Sequence, residues 1–213
     1  MRIVPAILTE TIDDLHRMLD IAKSFTDYAQ IDFMDGKFVP SKSVSFVALD
    51  VLKLPLNIEA HLMVQDLNTP LATLKSIGTK KVIFHFEAAP QPKEVISNIR
   101  NLDMEVGLAI NPETPIADFE FLVSQVDSFL FLSVNPGYYG SPFIYEVLDE
   151  ISRFRNRFPS AIIGIDGGVS LDNIVEIKEI GVDYACVGSR ILLTEDPKES
   201  YKAFLRITEE EVH

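Results

Sequence analysis

The sequence is poor in cysteine, in basic charge and in long apolar runs, and each shortage excludes something. Cys186 is the one cysteine among 213 residues, so an intrachain disulfide framework is excluded and a reducing, cytoplasmic setting is expected. Lys and Arg number 19 against 32 Asp and Glu, for a net charge of −13. A field of that sign repels polyanions, which argues against a nucleic-acid or anionic-membrane partner and requires any phosphate site to be built locally. No segment approaches the ~18 consecutive apolar residues of a membrane helix. The opening stretch MRIVPAILTETIDD passes from a short apolar run straight into acids, without the apolar core and small-residue cleavage site of a signal peptide. A soluble, untargeted protein is expected. With no low-complexity linker and no shift of composition, residues 1–213 are expected to form one domain.

What is present is 47% hydrophobic residues, ample for one core, arranged in a repeating pattern. Eight short apolar or β-rich runs recur: RIVPAIL, YAQIDF, LNIEAHLM, KVIFHF, EVGLAI, SFLFLSV, AIIGID and DYACVG. Between them lie segments of helical period, such as DDLHRMLDIAKSF, with Leu15, Met18, Leu19, Ala22 and Phe25 on one face, and EVISNIRNL, with Val95, Ile96, Ile99 and Leu102. Thr11 with Asp14 reads as a helix-start box, Pro70, Pro92 and Pro115 fall near first helical turns, and Gly78 and Gly181 stand where helices stop. Strand and helix alternating along the whole length imply a parallel sheet, and eight units imply a closed (β/α)8 TIM barrel. An open doubly wound sheet is the rival.

In such a barrel the reactive groups gather at the carboxyl ends of the strands. Those ends carry Gln30 and Asp32, His61, His85, Asn111, Ser133 with Asn135, and Asp166. Gln30 and Asp32, two apart on one strand, project to the same face. A buried carboxylate without a partner is costly, so Asp32 and Asp166 each require an ion, a hydrogen-bond network or a titratable role. The alternative for both is a carboxylate tying down backbone amides at a turn, the role expected of Asp35. The last two strands end in GIDGGVS and CVGSR, placing Gly167-Gly168 and Gly188-Ser189 where barrels of this kind hold phosphate with backbone N–H groups. Fixed amide dipoles act at short range, so they reconcile a phosphate site with the acidic chain.

In order and with barrel spacing, IDFMDGKFVP, HLMV, NPETP, SVNPGYYG, IDGGVS and VGSR resemble the ribulose-phosphate 3-epimerase family over essentially the whole chain. The resemblance implies a metal-assisted epimerase acting on a phosphorylated ketose, D-ribulose 5-phosphate and D-xylulose 5-phosphate by default. Asp32 and Asp166 match the family's two acids, which exchange a proton through an ene-diolate. By the same resemblance His61 is a metal and substrate-site residue, and Met34 and Met63 form a soft apolar wall. The resemblance also implies that Gly137, Tyr138, Tyr139 and Gly140 belong to the phosphate lid and that a homo-oligomer is expected. One divalent ion, Zn, Mn, Fe or Mg, is implied, held by Asp32, His61 and Asp166 with Gln30 as an optional ligand.

The sequence departs from the family at several of these places. Gln30 stands where a second histidine is usual, and an amide oxygen binds zinc-like metals more weakly than imidazole does. Gln30 can instead simply hydrogen-bond Asp32 in a metal-free site. Ala6 stands for a serine, Leu132 for a methionine, and Tyr139 for a glycine whose replacement restricts φ. Three alternatives stay open. The substrate can be a ketohexose such as allulose 6-phosphate. The barrel can be a sugar-phosphate decarboxylase or indole synthase, although these need an inward lysine at a strand end, whereas Lys37 lies in a loop and Lys81 begins its strand. It can also be a drifted phosphate-binding module. His61 as a hydrogen-bonded core residue and the methionines as core filler are the plain structural readings, His85 either lines the pocket or supports a turn, and His16, His213 and the tail ITEEEVH are expected in solvent.

Overall fold

The computed structural model describes residues 1–51, 54–137 and 141–209. Tyr138, Tyr139, Gly140 and His213 lie outside the described residues, as does the end of the acidic tail.

All eight apolar runs form strands: β1 (Arg2–Ile7), β2 (Tyr28–Met34), β3 (Asn57–Met63), β4 (Lys81–His85), β5 (Glu105–Ile110), β6 (Ser128–Leu132), β7 (Ile163–Asp166) and β8 (Tyr184–Val187). They pair in parallel in chain order, and β1 closes on β8 with Arg2 opposite Tyr184 and Pro5 opposite Val187. That closure rules out the open sheet. The helices are α1 (Ile12–Lys23), α2 (Leu71–Ser76), α3 (Pro92–Arg100), α4 (Ile116–Phe119), α5 (Glu146–Arg157), α6 (Ile174–Glu179), α7 (Ser189–Leu192) and α8 (Pro197–Glu209). Alternation fails at one place. Between β2 and β3 the described residues form a 3₁₀ helix, Phe46–Val51, in place of an α-helix.

Local chemistry explains the boundaries. Thr11 caps α1, its hydroxyl oxygen accepting from the Asp14 N–H at 3.2 Å. Pro92 opens α3, and Gly78 and Gly181 follow α2 and α6 with φ of 91° and 88°. The stripe of Leu15, Met18, Leu19 and Ala22 is buried against the barrel, with Phe25 packed beside it. Outward-facing strand residues meet the helices in one continuous core. Within it Phe119, Phe129, Phe131 and Phe154 form a cluster with ring centroids 4.8–6.1 Å apart, and each such ring contributes about 1.5–3 kcal/mol by leaving water.

The barrel interior is a separate, smaller cluster with a polar floor. Val4, Ala6, Ile83, Ala109, Leu130 and Leu132 pack there with Tyr184 and Cys186. Among them Lys81 Nζ meets Glu59 Oε2 at 2.6 Å with both side chains at most 5% exposed, and the Tyr28 hydroxyl donates to Glu59 at 2.9 Å. Lys81 thus points inward, but from the start of β4, at the end of the barrel opposite the mouth. Gly164 makes this floor possible: a Cβ there would lie 2.2 Å from Cζ of Tyr184, so only a residue without a side chain leaves room for that ring.

Candidate active site

At the carboxyl ends of the strands a cavity of about 720 Å³ opens, lined among others by Asp32, Met34, His61, Met63, Gly137, Asp166, Gly167, Gly168, Gly188 and Ser189. Strand pairing positions its acids and imidazole. Asp32 lies opposite His61 in the β2–β3 register, and Asp166 ends β7 opposite Cys186 of β8. His61 Nδ1 is 3.0 Å from Asp32 Oδ1 and 3.5 Å from Asp166 Oδ2.

Gln30 lies fully buried beneath them. Its Nε2 donates to Asp32 Oδ1 at 2.8 Å and to Asp166 Oδ2 at 2.7 Å, while the Cys186 thiol donates to its Oε1 at 3.1 Å. The amide therefore bridges both acids with its nitrogen and turns its oxygen away from them. As oriented it stabilises the carboxylates rather than offering a ligand, so the optional ligand role would require the amide to turn over.

Burial pushes the Asp32 carboxyl up to about 7, with the Glu59 charge adding to the rise and the Gln30 N–H opposing it. Burial, and then the charge of Asp32, push Asp166 to about 7 as well, against His61 and Gln30. Burial lowers His61. Two carboxyls with raised affinity for protons, side by side in a cavity, are suited to exchanging one proton. The oxygens of Asp32 and Asp166 and the ring nitrogen of His61 also fall within 4.8 Å of one another. Two hard oxygen donors and an imidazole in one cluster fit a divalent cation.

The remaining strand-end residues separate. His85 is buried behind His61, with Nε2 atoms 2.9 Å apart and rings stacked at 5.0 Å, and does not reach the cavity. The Ser133 hydroxyl donates to the backbone oxygens of Asp166 and Gly167 and pins the end of β7. Asn111 and Asn135 line a neighbouring depression beside Glu87. Asp35 takes the plain role expected of it, accepting from the backbone N–H groups of Lys37, Phe38 and Gln65.

The glycine turns border the same cavity. Gly167 adopts φ 109°, and a Cβ on it would press to 2.5 Å from Val134. Arg190 lines the cavity next to Gly188 and Ser189, a cation that sequence reasoning passed over although CVGSR ends on it. No lysine lines this cavity among the described residues, which removes the group that the decarboxylase and indole-synthase readings require.

The barrel and its acid-lined mouth define a (β/α)8 enzyme architecture whose polar groups converge at the strand ends. The model of the ribulose-phosphate 3-epimerase family matches residues 2–192, and the chain belongs to that family of isomerases. Curated relatives agree along their length. Ribulose-phosphate 3-epimerase of Helicobacter pylori is 30% identical over 93% of this chain and 94% of its own. That of Mycobacterium leprae is 30% identical over 96% and 93%, and ribulose-phosphate 3-epimerase 1 of Cupriavidus necator is 29% identical over 96% and 90%. Among solved structures, orotidine 5'-phosphate decarboxylase of Pyrococcus horikoshii superposes with a TM-score of 0.68 over 98% of this chain and all of its own, at 16% identity, a likeness of fold alone. No described helix is long and apolar enough to cross a membrane.

Proposed function

We propose that this protein epimerises a phosphorylated ketose at C3, with D-ribulose 5-phosphate and D-xylulose 5-phosphate as the pair. The observation that carries the reading is the single nitrogen of Gln30 bound to both Asp32 and Asp166 beside His61. One carboxylate takes the C3 proton, leaving an ene-diolate, and the other, protonated, returns a proton to the opposite face. Atoms and charge balance, and the pair ends with its protonation states exchanged. Asp32, His61 and Asp166 would hold a divalent ion, which when bound would supply Lewis-acid polarisation of the adjacent carbonyl and so make the C3 proton acidic enough to remove. Met34 and Met63 wall the reacting carbons from water. Gly167, Gly168, Gly188 and Ser189, with Arg190 beside them, hold the phosphate, and Gly137 borders the same cavity.

The test is exchange of the substrate α-proton with deuterated water, followed by NMR with five- and six-carbon ketose phosphates and Mn²⁺. Exchange without decarboxylation is expected, fastest with the five-carbon pair, and Asp166→Asn should lower it by at least ~10³-fold while retaining phosphate binding. Binding without exchange would leave a phosphate-binding module in its place.

A further inference from the structure

Behind His61 runs a chain of groups that the proposed reaction does not use. His61 Nε2 meets His85 Nε2 at 2.9 Å, and His85 Nδ1 lies 3.4 Å from Glu87 Oε2. Glu87 is itself fixed, accepting from the Thr114 hydroxyl at 2.5 Å and the Asn111 N–H at 2.9 Å. The Asn111 side chain also borders His85, and its Oδ1 and His85 Nδ1 are both buried without a close hydrogen-bond partner among the described residues, Glu87 Oε2 standing off at 3.4 Å.

Only two hydrogen arrangements satisfy the His61–His85 contact when both rings are neutral. In the first, His85 carries its hydrogen on Nε2 and gives it to His61, whose own hydrogen then lies on Nδ1 toward Asp32 at 3.0 Å. His85 Nδ1 is then bare, facing a carboxylate and an amide oxygen, acceptor against acceptor. In the second, His85 carries its hydrogen on Nδ1, toward Glu87 and Asn111. His61 must then donate from Nε2, which leaves the Nδ1 lone pair pointing at Asp32 and Asp166. Burial pulls the Glu87 carboxyl upward, but His85, Thr114 and Asn111 outweigh it and leave it below its ordinary value, so Glu87 is an acceptor only and favours the second arrangement.

We infer that Glu87 is a positioning residue: through His85 it fixes the tautomer of His61 that turns a lone pair toward the two aspartates, and so prepares a cation site before any ion arrives. The inference rests on reading Asp32, His61 and Asp166 as that site. It also explains the local imbalance, since a bare nitrogen and two carboxylates aimed at one another call for a cation or a proton between them. An outer partner of a metal-bound imidazole commonly changes metal affinity by about 10- to 100-fold when removed.

Two measurements decide it. Metal-stripped protein is titrated into Mn²⁺ and the loss of the free-ion EPR signal is read for wild type, Glu87→Leu and Glu87→Gln. Glu87→Leu should bind roughly 10- to 100-fold more weakly, and Glu87→Gln, whose amide oxygen can still face His85 Nδ1, should stay within about threefold of wild type. In ¹⁵N-histidine-labelled wild type, His85 Nδ1 should show the shift of a protonated ring nitrogen, a reading that stands alone if Glu87→Leu fails to fold. Equal Mn²⁺ affinity in Glu87→Leu, or an unprotonated His85 Nδ1, refutes the inference and leaves the epimerase reading intact. Absence of Mn²⁺ binding in the wild type removes the metal site and the inference with it.

Discussion

Replacing Lys81 by Met tests whether the floor of the barrel is as dry as its geometry implies. The ammonium sits 2.6 Å from Glu59 Oε2, 4.7 Å from the Tyr184 ring centroid and 3.4 Å from the Ser128 hydroxyl. The two charged side chains are 5% and 0% exposed. In Lys81→Met the Glu59 carboxylate keeps one strong donor, the Tyr28 hydroxyl, because the Cys186 thiol is 3.9 Å away. An unpaired buried charge of this kind costs about 3–5 kcal/mol, a large part of the ~5–15 kcal/mol that holds an ordinary domain together. The loss belongs to the stranded carboxylate rather than to the worth of the pair. Adding Glu59→Gln to Lys81→Met should therefore recover at least ~2 kcal/mol, since the amide still accepts from Tyr28. Urea unfolding at pH 8, followed by circular dichroism and tyrosine fluorescence, measures both. A Lys81→Met loss under ~1 kcal/mol, with no recovery in the double variant, would mean that water reaches the pair and that the floor is not sealed.

Three further outcomes are expected. Gln30→His exchanges a bridging N–H₂ for a ring nitrogen beside the two acids and should tighten Mn²⁺ binding about tenfold, read by calorimetry; weaker binding would show that the bridge itself holds the site together. Arg190→Ala should raise KM for the sugar phosphate roughly tenfold through loss of a charge-assisted contact and leave kcat within about twofold, whereas an unchanged KM would remove Arg190 from the phosphate site. In metal-stripped protein, Asp32 and Asp166 at about 7 hold protons that the unfolded chain, with its carboxyls at 3.8, releases. Stability contributed by this pair is therefore present below pH 4 and lost as pH rises to about 7. Urea midpoints at pH 5 and 8 should fall less for Asp166→Asn than for wild type, and an equal fall would refute the raised values.

The strands were legible because each is a short apolar or β-rich run set between segments of helical period, and the parity of Gln30 with Asp32 placed both in the barrel. The same parity, applied to Glu59 two residues before His61, would have revealed an inward acid in need of a cation, and Lys81, opposite Glu59 in the β3–β4 register, is that cation. Distance from the mouth hid it: a lysine that starts a strand looks like a solvent-facing boundary until the barrel closes over it. The connection from β2 to β3 misled for a different reason. Serine and valine crowd the stretch before Leu49 and suit an α-helix poorly, and the described part of it is 3₁₀. The Gln30 bridge was legible only as a contact to Asp32. Its second bond crosses from β2 to β7, 136 residues away, and no local pattern carries that.

This interior has a consequence for how the site keeps its shape. An acid on a strand is held in direction by its own backbone, but the side-chain torsions of Asp32 and Asp166 are free until something grips the oxygens. Gln30 grips one oxygen of each, Cys186 grips Gln30 from below, and Glu59 and Lys81 fill the layer beneath Cys186. A polar column thus rises from floor to mouth in a volume that a purely apolar barrel would fill with aliphatic side chains. Such a column adds little net stability, because desolvation consumes most of what its bonds return. What it does supply is direction: each member has its partner fixed by strand register, so the pair of acids is set before substrate enters, as proton transfer between fixed faces requires. Gly164 lies at the base of this column. Without a Cβ it admits the Tyr184 ring against which Lys81 rests, and the simplest side chain at that position would lift the column from its base while touching no group in the cavity.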